Sequence, residues 1–205
     1  MAKKSTFANM VIVLSLVCLV CSALLGAVYA VTAEPIAAAN LAKTNNAIGA
    51  VVPAFDNIPS QDAQEVELDG TSYKVYPAKS ASTTVGYAIE STVVGFGGPL
   101  TVMVGFTPDG AIYNTSVVSH AETPGLGAKA ADKKPGNFRE QFAGKNPASF
   151  KLAVKKEGGD IDAITASTIS SKAFIDAVGK AYAVFCKING VASDAVSGAS
   201  QKSEE

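Results

Sequence analysis

Hydrophobic and polar positions change their period three times along this chain. Residues 10–31 are almost wholly apolar, and no charged residue lies between Lys4 and Glu34. As a helix rising about 1.5 Å per residue, that run crosses a bilayer core of about 30 Å. Its length also exceeds the apolar core of a signal peptide, which runs about 7–15 residues. Val28-Tyr29-Ala30 still offers a small-residue cleavage site, so a cleaved leader stands as the alternative. Glu34-Pro35 then opens an Ala-rich helix reaching about Ile48, with proline in its first turn, which either continues the anchor or links it to the domain. Residues 52–64, which include Pro53 and Pro59, read as an irregular connection.

From Tyr73 the period becomes two. Residues 73–76, 84–89, 100–106 and 111–118 read as strands. Thr107-Pro108-Asp109-Gly110, between the last two, has the composition of a hairpin turn. Helical spacing returns at about residues 136–142 and 168–187. In the longer stretch Ile169, Ala173, Ala177, Ala181 and Phe185, joined by Phe174, Val178 and Val184, predict a broad buried face. The expected fold is therefore α+β, a mostly antiparallel sheet packed with helices and preceded by a single N-terminal transmembrane helix. Residues 196–205 are serine-rich and polar and read as a disordered tail.

Composition sharpens this outline. A chain of 205 residues, 48% of them hydrophobic, has room for one domain of about 150 residues beside the membrane element. Its 17 basic and 18 acidic residues leave no electrostatic case for nucleic acid. Lys3 and Lys4, on the N-terminal flank of the apolar run, predict a cytoplasmic N-terminus and a domain on the outer side of the cytoplasmic membrane. Cys18 and Cys21 fall inside the span, each after a valine where a lipobox has a small residue. Without a nearby His or acid to complete a metal shell, they read as soft filling of a membrane helix. Cys186 is alone in the domain, which excludes a disulfide there, and reads as a core residue.

The candidate chemistry lies in residues 162–171, a hydroxyl-dense run (Asp-Ala-Ile-Thr-Ala-Ser-Thr-Ile-Ser-Ser) that leads directly into the long helix. A helix N-terminus offers unpaired N–H groups and the positive end of a dipole, both suited to a phosphate. Thr168 stands where that terminus should be, and Ser167, Ser170 and Ser171 can bond the remaining donors. The plainer reading is that Thr165, Ser167 and Thr168 are only helix caps. His120, the single histidine, can tune or protonate a bound group or serve as a hydrogen-bonded structural residue. Glu122 can accept a proton or orient its loop. Lys133-Lys134 reads as a solvated face, and no metal-ligand set is present in the sequence.

Three strings together resemble the flavin-binding domain family shared by the G-type subunit of Rnf and the C-type subunit of Nqr, both redox-driven ion pumps. Asp162, Thr165, Ala166, Ser167 and Thr168 fill the family's flavinylation pattern, with Ala166 where glycine is usual. Gly95-Phe96-Gly97-Gly98-Pro99-Leu100 is similar to its glycine-rich segment, and Glu122-Thr123-Pro124-Gly125-Leu126-Gly127 matches its loop without departure. The resemblance covers the anchor and nearly all of the domain. It implies FMN joined by a phosphoester to Thr168, with Thr165 and Ser167 beside it. Glu122, Thr123, Leu126 and Gly127 would border the ring, since glycines let backbone donors come close to a flat surface.

The short chain, the single anchor and His120 resemble the Rnf member of the family more than the Nqr member, which remains the alternative. The implied role is an electron-carrying subunit of an ion-translocating ferredoxin:NAD oxidoreductase, without independent activity. Its partners would be the other membrane subunits and a flavin transferase that loads it. The implied plan is a cytoplasmic N-terminus (1–9), a transmembrane helix (10–32), a linker and helix (33–65), an extracytoplasmic FMN-binding domain (66–192) and a tail (193–205). A rival of a different class is an anchored extracytoplasmic binding or scaffold module without flavin.

Overall fold

The computed structural model describes residues 7–81, 83–132 and 134–190. Lys3, Lys4, Lys133 and the expected tail lie outside the described residues. The chain divides into two units at Lys43/Thr44.

The apolar run forms most of helix α1 (Phe7–Val51). An 18-residue window in it has a mean hydropathy of 2.8 with none of it buried, which is long and apolar enough to cross a membrane. The Ala-rich helix continues the anchor, one of the two expected arrangements, and Pro35 sits in the helix interior rather than at a first turn. Proline there removes one N–H and crowds the carbonyl a turn earlier. Good helix formers, Ala37, Ala38 and Ala39 among them, continue the ladder beyond it.

In the second unit five strands form one antiparallel meander in sequence order, so the expected α+β class is what the structure shows. Strands β2 (Thr71–Ser80), β3 (Thr83–Val94), β4 (Pro99–Phe106) and β5 (Ile112–His120) occupy the four regions of period two. Strand β1 (Gln64–Leu68) was not anticipated from its polar sequence. It pairs with β2 through the two-residue turn Asp69-Gly70, whose φ angles of 51° and 73° are the left-handed pair that tight hairpins require. The Thr107–Gly110 turn forms as expected, with the Gly110 N–H donating to the Thr107 carbonyl at 2.9 Å. The helix expected over residues 136–142 is only a 3-10 turn, Phe138–Gln141. Gly136 and Gly144, at φ 76° and 71°, bracket the segment too closely for an α-helix to propagate.

Helix α2 (Thr168–Asn189) lies on one face of the sheet and ends at Gly190 in the left-handed conformation. Phe174, Ala177, Val178, Ala181, Val184 and Phe185 are buried with Ile89, Val102, Val104 and Phe106, and Cys186 is buried among them. Burying each large side chain here stabilises the fold by about 1.5–3 kcal/mol. Ile169 departs from the expected buried face, at 57% exposure.

The opposite face receives the last turns of α1: Ala47, Ile48 and Val51 pack with Tyr76, Ala78, Ala88 and Met103. Gly105 on β4 makes this possible, because a Cβ there would run into the Val51 carbonyl. Asn114 closes the contact by donating to the Ala50 carbonyl at 3.0 Å. Gly105→Ala is expected to lower stability by about 1–3 kcal/mol through overpacking. Gly49→Ala, whose added Cβ meets open space, is expected to raise it by up to about 1 kcal/mol. Urea unfolding of the detergent-solubilised chain measures both.

Candidate functional site

Helix α2 begins in an unusual way. Ala166 has φ 59°, a left-handed conformation that costs a residue with a Cβ about 1–2 kcal/mol. This residue turns the chain so that Ser167 becomes the N-cap, yet Ser167 makes no side-chain cap bond. Its Oγ is buried without a hydrogen-bond partner. The other two serines are also drawn away from capping. The Ser171 hydroxyl donates to the Ser167 carbonyl and accepts from the Ile164 N–H, both at 2.9 Å. The Ser170 hydroxyl donates to Glu122 Oε2 at 2.7 Å. The first helical hydrogen bond runs from the Ser171 N–H to the Ser167 carbonyl, so the N–H groups of Thr168, Ile169 and Ser170 precede the ladder.

The residues that carry them line a cleft of about 440 Å³. One wall is Ala166 to Ser170, with Thr168 exposed. The facing wall comes from the loop after β5 and contributes Glu122, Thr123, Leu126 and Gly127, and Phe96 comes from the turn between β3 and β4. Two strings about forty residues apart in sequence thus meet at one site. Six of the expected residues line it together: Thr168, Ser167, Glu122, Thr123, Leu126 and Gly127. Thr165 does not. It is exposed and lines a neighbouring cleft of about 320 Å³ with Lys129, Gln141 and Asp162.

Glu122 holds the walls together. It is buried, and its Oε1 accepts from the Phe96 N–H at 2.8 Å while Oε2 takes the Ser170 hydroxyl. Gly127 must be glycine because a Cβ there would run into Glu122 Oε2 and the Ser170 hydroxyl. Gly125, at φ 78°, faces open space instead and only shapes the turn. His120 does not line the cleft. Its Nδ1 accepts from the Glu122 N–H at 3.3 Å, a structural bond that fixes the start of the loop.

Sequence reasoning missed Phe96 and Ile169 as lining residues, and expected Ser170 only to bond free helix donors, whereas it lines the cleft and bonds Glu122. Phe96 was legible as a large aromatic among glycines, and it is 69% exposed. Ile169 had the spacing of a core position and gave no such signal. Together with Leu126, at 42% exposure, these side chains give the cleft an apolar rim suited to a flat ring. The uncapped helix terminus suits an anionic group, and the buried Ser167 hydroxyl supplies one more unused donor. These features fit a flavin with a phosphate.

A family model described as the FMN-binding domain matches residues 95–183, which take in the glycine-rich turn, the loop 122–127 and most of α2. Among curated relatives, the G-type subunit of the proton-translocating ferredoxin:NAD(+) oxidoreductase complex of Clostridium ljungdahlii is 31% identical over 82% of this chain and 85% of its own. The chain belongs to the family of G-type subunits of ion-translocating oxidoreductase complexes. Its counterpart in the ion-translocating oxidoreductase complex of Cereibacter sphaeroides is likewise 31% identical, over 85% of this chain and 82% of its own. The counterpart in the Na(+)-translocating ferredoxin:NAD(+) oxidoreductase complex of Acetobacterium woodii is 34% identical over 64% and 67%. Membership of a family of membrane complexes and the exposed apolar helix α1 together support a membrane-anchored protein.

Ala166 holds a φ that glycine adopts without strain, at the position where the sequence resemblance leads one to expect glycine. Ala166→Gly is expected to raise stability by about 0.5–1 kcal/mol, the relief of Cβ strain exceeding the entropy that glycine adds to the unfolded chain. Ala166→Val is expected to lower it by about 1–2 kcal/mol. Thermal unfolding of the two variants against the parent checks the pair.

Proposed function

We propose that this chain is a covalent FMN carrier, loaded at Thr168, that passes electrons within an ion-translocating ferredoxin:NAD oxidoreductase of the Rnf type. The observation that carries the reading is the place of Thr168: an exposed hydroxyl in the first turn of α2, on the cleft that the loop 122–127 completes. Ser167 has the neighbouring hydroxyl, but it is buried. A separate flavin transferase supplies the group from FAD. The Thr168 Oγ attacks the phosphorus on the FMN side, the pyrophosphate P–O bond breaks, AMP leaves, and the threonine proton is lost to solvent.

When bound, the flavin supplies the ring that accepts and donates electrons. The protein holds and surrounds it. The N–H groups of Thr168, Ile169 and Ser170 would hold the phosphate at the positive end of the α2 dipole. Phe96, Leu126 and Ile169 would cover the ring with apolar surface and keep water from it, and the Thr123 hydroxyl would offer a polar contact. Thr165 belongs with Asp162 to the recognition string outside the cleft. The N-terminus stays in the cytoplasm and the domain works on the outer side of the cytoplasmic membrane, beside the other membrane proteins of the complex. Ferredoxin and NAD meet other chains, so this chain has no independent activity.

Coexpressed with a flavin transferase, the wild-type chain is expected to fluoresce in a denaturing gel and to carry an FMN-sized mass increment on Thr168. Thr168→Ala should lose both while unfolding within about 1 kcal/mol of the parent, and Thr168→Ser should keep them. An increment retained in Thr168→Ala would falsify the assignment, and a wild-type chain without flavin would favour a scaffold module instead.

The geometry separates attachment from ring contacts. Gly127→Ala should keep the adduct but change the flavin absorbance, because its Cβ displaces Glu122 and Ser170. Gly125→Ala, costing about 1–2 kcal/mol for its positive φ, should leave the spectrum unchanged. Absorbance spectra of the two purified variants decide this.

A further inference from the structure

Among the described residues, Glu122 is the one buried side chain that carries a formal charge, at 5% exposure. Its oxygens accept from the Phe96 N–H and the Ser170 hydroxyl, and neither donor is a cation. No Lys or Arg among the described residues lines the cleft it borders. Space is cut for the carboxylate from both sides, since a Cβ at Gly95 would meet Oε1 and one at Gly127 would meet Oε2. Holding three segments together needs only hydrogen bonds, which a neutral amide makes without the desolvation cost of an ion. The charge itself therefore calls for a function.

We propose that Glu122 lowers the reduction potential of the flavin in this cleft. The inference rests on the reading of the cleft as the FMN site. A fixed negative charge in a wall shielded from water acts over several ångströms more strongly than it does in solvent. It disfavours added electron density on a neighbouring ring. Ser170 acts through Glu122 as a positioning residue: its hydroxyl draws charge from Oε2 and moderates the effect. The first turn of α2 supplies further compensation, a partial positive charge.

Two variants give opposite expectations. Glu122→Gln removes the charge and keeps an oxygen for the Phe96 N–H. It should shift the reduction equilibrium about tenfold toward the reduced form, a rise of about 30 mV for a two-electron couple. Ser170→Ala leaves the charge less moderated and should lower the potential. A purely structural role would loosen the cleft in both variants and move both potentials the same way or not at all.

The test is a spectroelectrochemical titration of the full-length flavinylated chain in detergent, with the adduct mapped by mass spectrometry and thermal stability recorded for each protein. A potential unchanged or lowered in Glu122→Gln, or one that does not fall in Ser170→Ala, overturns the proposal. If Glu122→Gln fails to fold, Ser170→Ala decides alone. Flavin mapped to a residue other than Thr168 overturns the attachment reading, and the potentials still decide the role of Glu122. A wild-type chain that takes no flavin overturns both.

Discussion

The hydrogen bonds of one buried carboxylate organise the site. Glu122 reaches from the loop after β5 to the Phe96 N–H in the β3–β4 turn and to the Ser170 hydroxyl in the first turn of α2. Each of these segments is held elsewhere by its own element, and this side chain ties all of them to one another. The geometry constrains the surrounding sequence, because the carboxylate occupies the volume that Cβ atoms at Gly95 and Gly127 would fill. Glycines that look like generic turn residues are there for a steric reason imposed by a residue distant in sequence.

The sheet provides the rigid platform this arrangement needs. α2 covers one face with a continuous apolar surface, and the aromatic rings of Phe106, Tyr182 and Phe185 pack against one another with centroids 5.1–6.2 Å apart. The end of α1 covers the other face through close backbone approach at Gly105. With both faces filled, β3 and β5 cannot shift register without exposing core residues. The loops at their ends, which carry Phe96 and Glu122, are fixed in consequence.

A strained residue and an unused polar group meet at the start of α2. Ala166 holds a left-handed φ, Ser167 leaves its hydroxyl buried without a partner, and no side chain caps the N–H groups at the start of α2. Each is unfavourable for folding alone. Their meeting on one cleft is the pattern expected where a structure is preorganised for a ligand rather than optimised for stability.

Much of this was legible in the sequence because it depends on local periodicity. The apolar run, the alternation in β2 to β5, the helical spacing of α2 and the Thr107–Gly110 turn follow from near-neighbour rules; residues 162–171 stood out by their composition, and the loop 122–127 by its resemblance to a known family's loop. Strand β1 escaped notice because a polar edge strand owes its form to its partner β2, although Asp69-Gly70 marked the hairpin. Pro35 was read as a helix start, because a local rule does not weigh the strong helix formers on either side. Tertiary structure alone decided which hydroxyls face the cleft. It buried Ser167, tied Ser170 to Glu122, left Thr168 exposed and set Thr165 apart. These outcomes turn on contacts across about forty residues of chain, where side-chain direction and competition for hydrogen bonds are settled only once the sheet and α2 have packed.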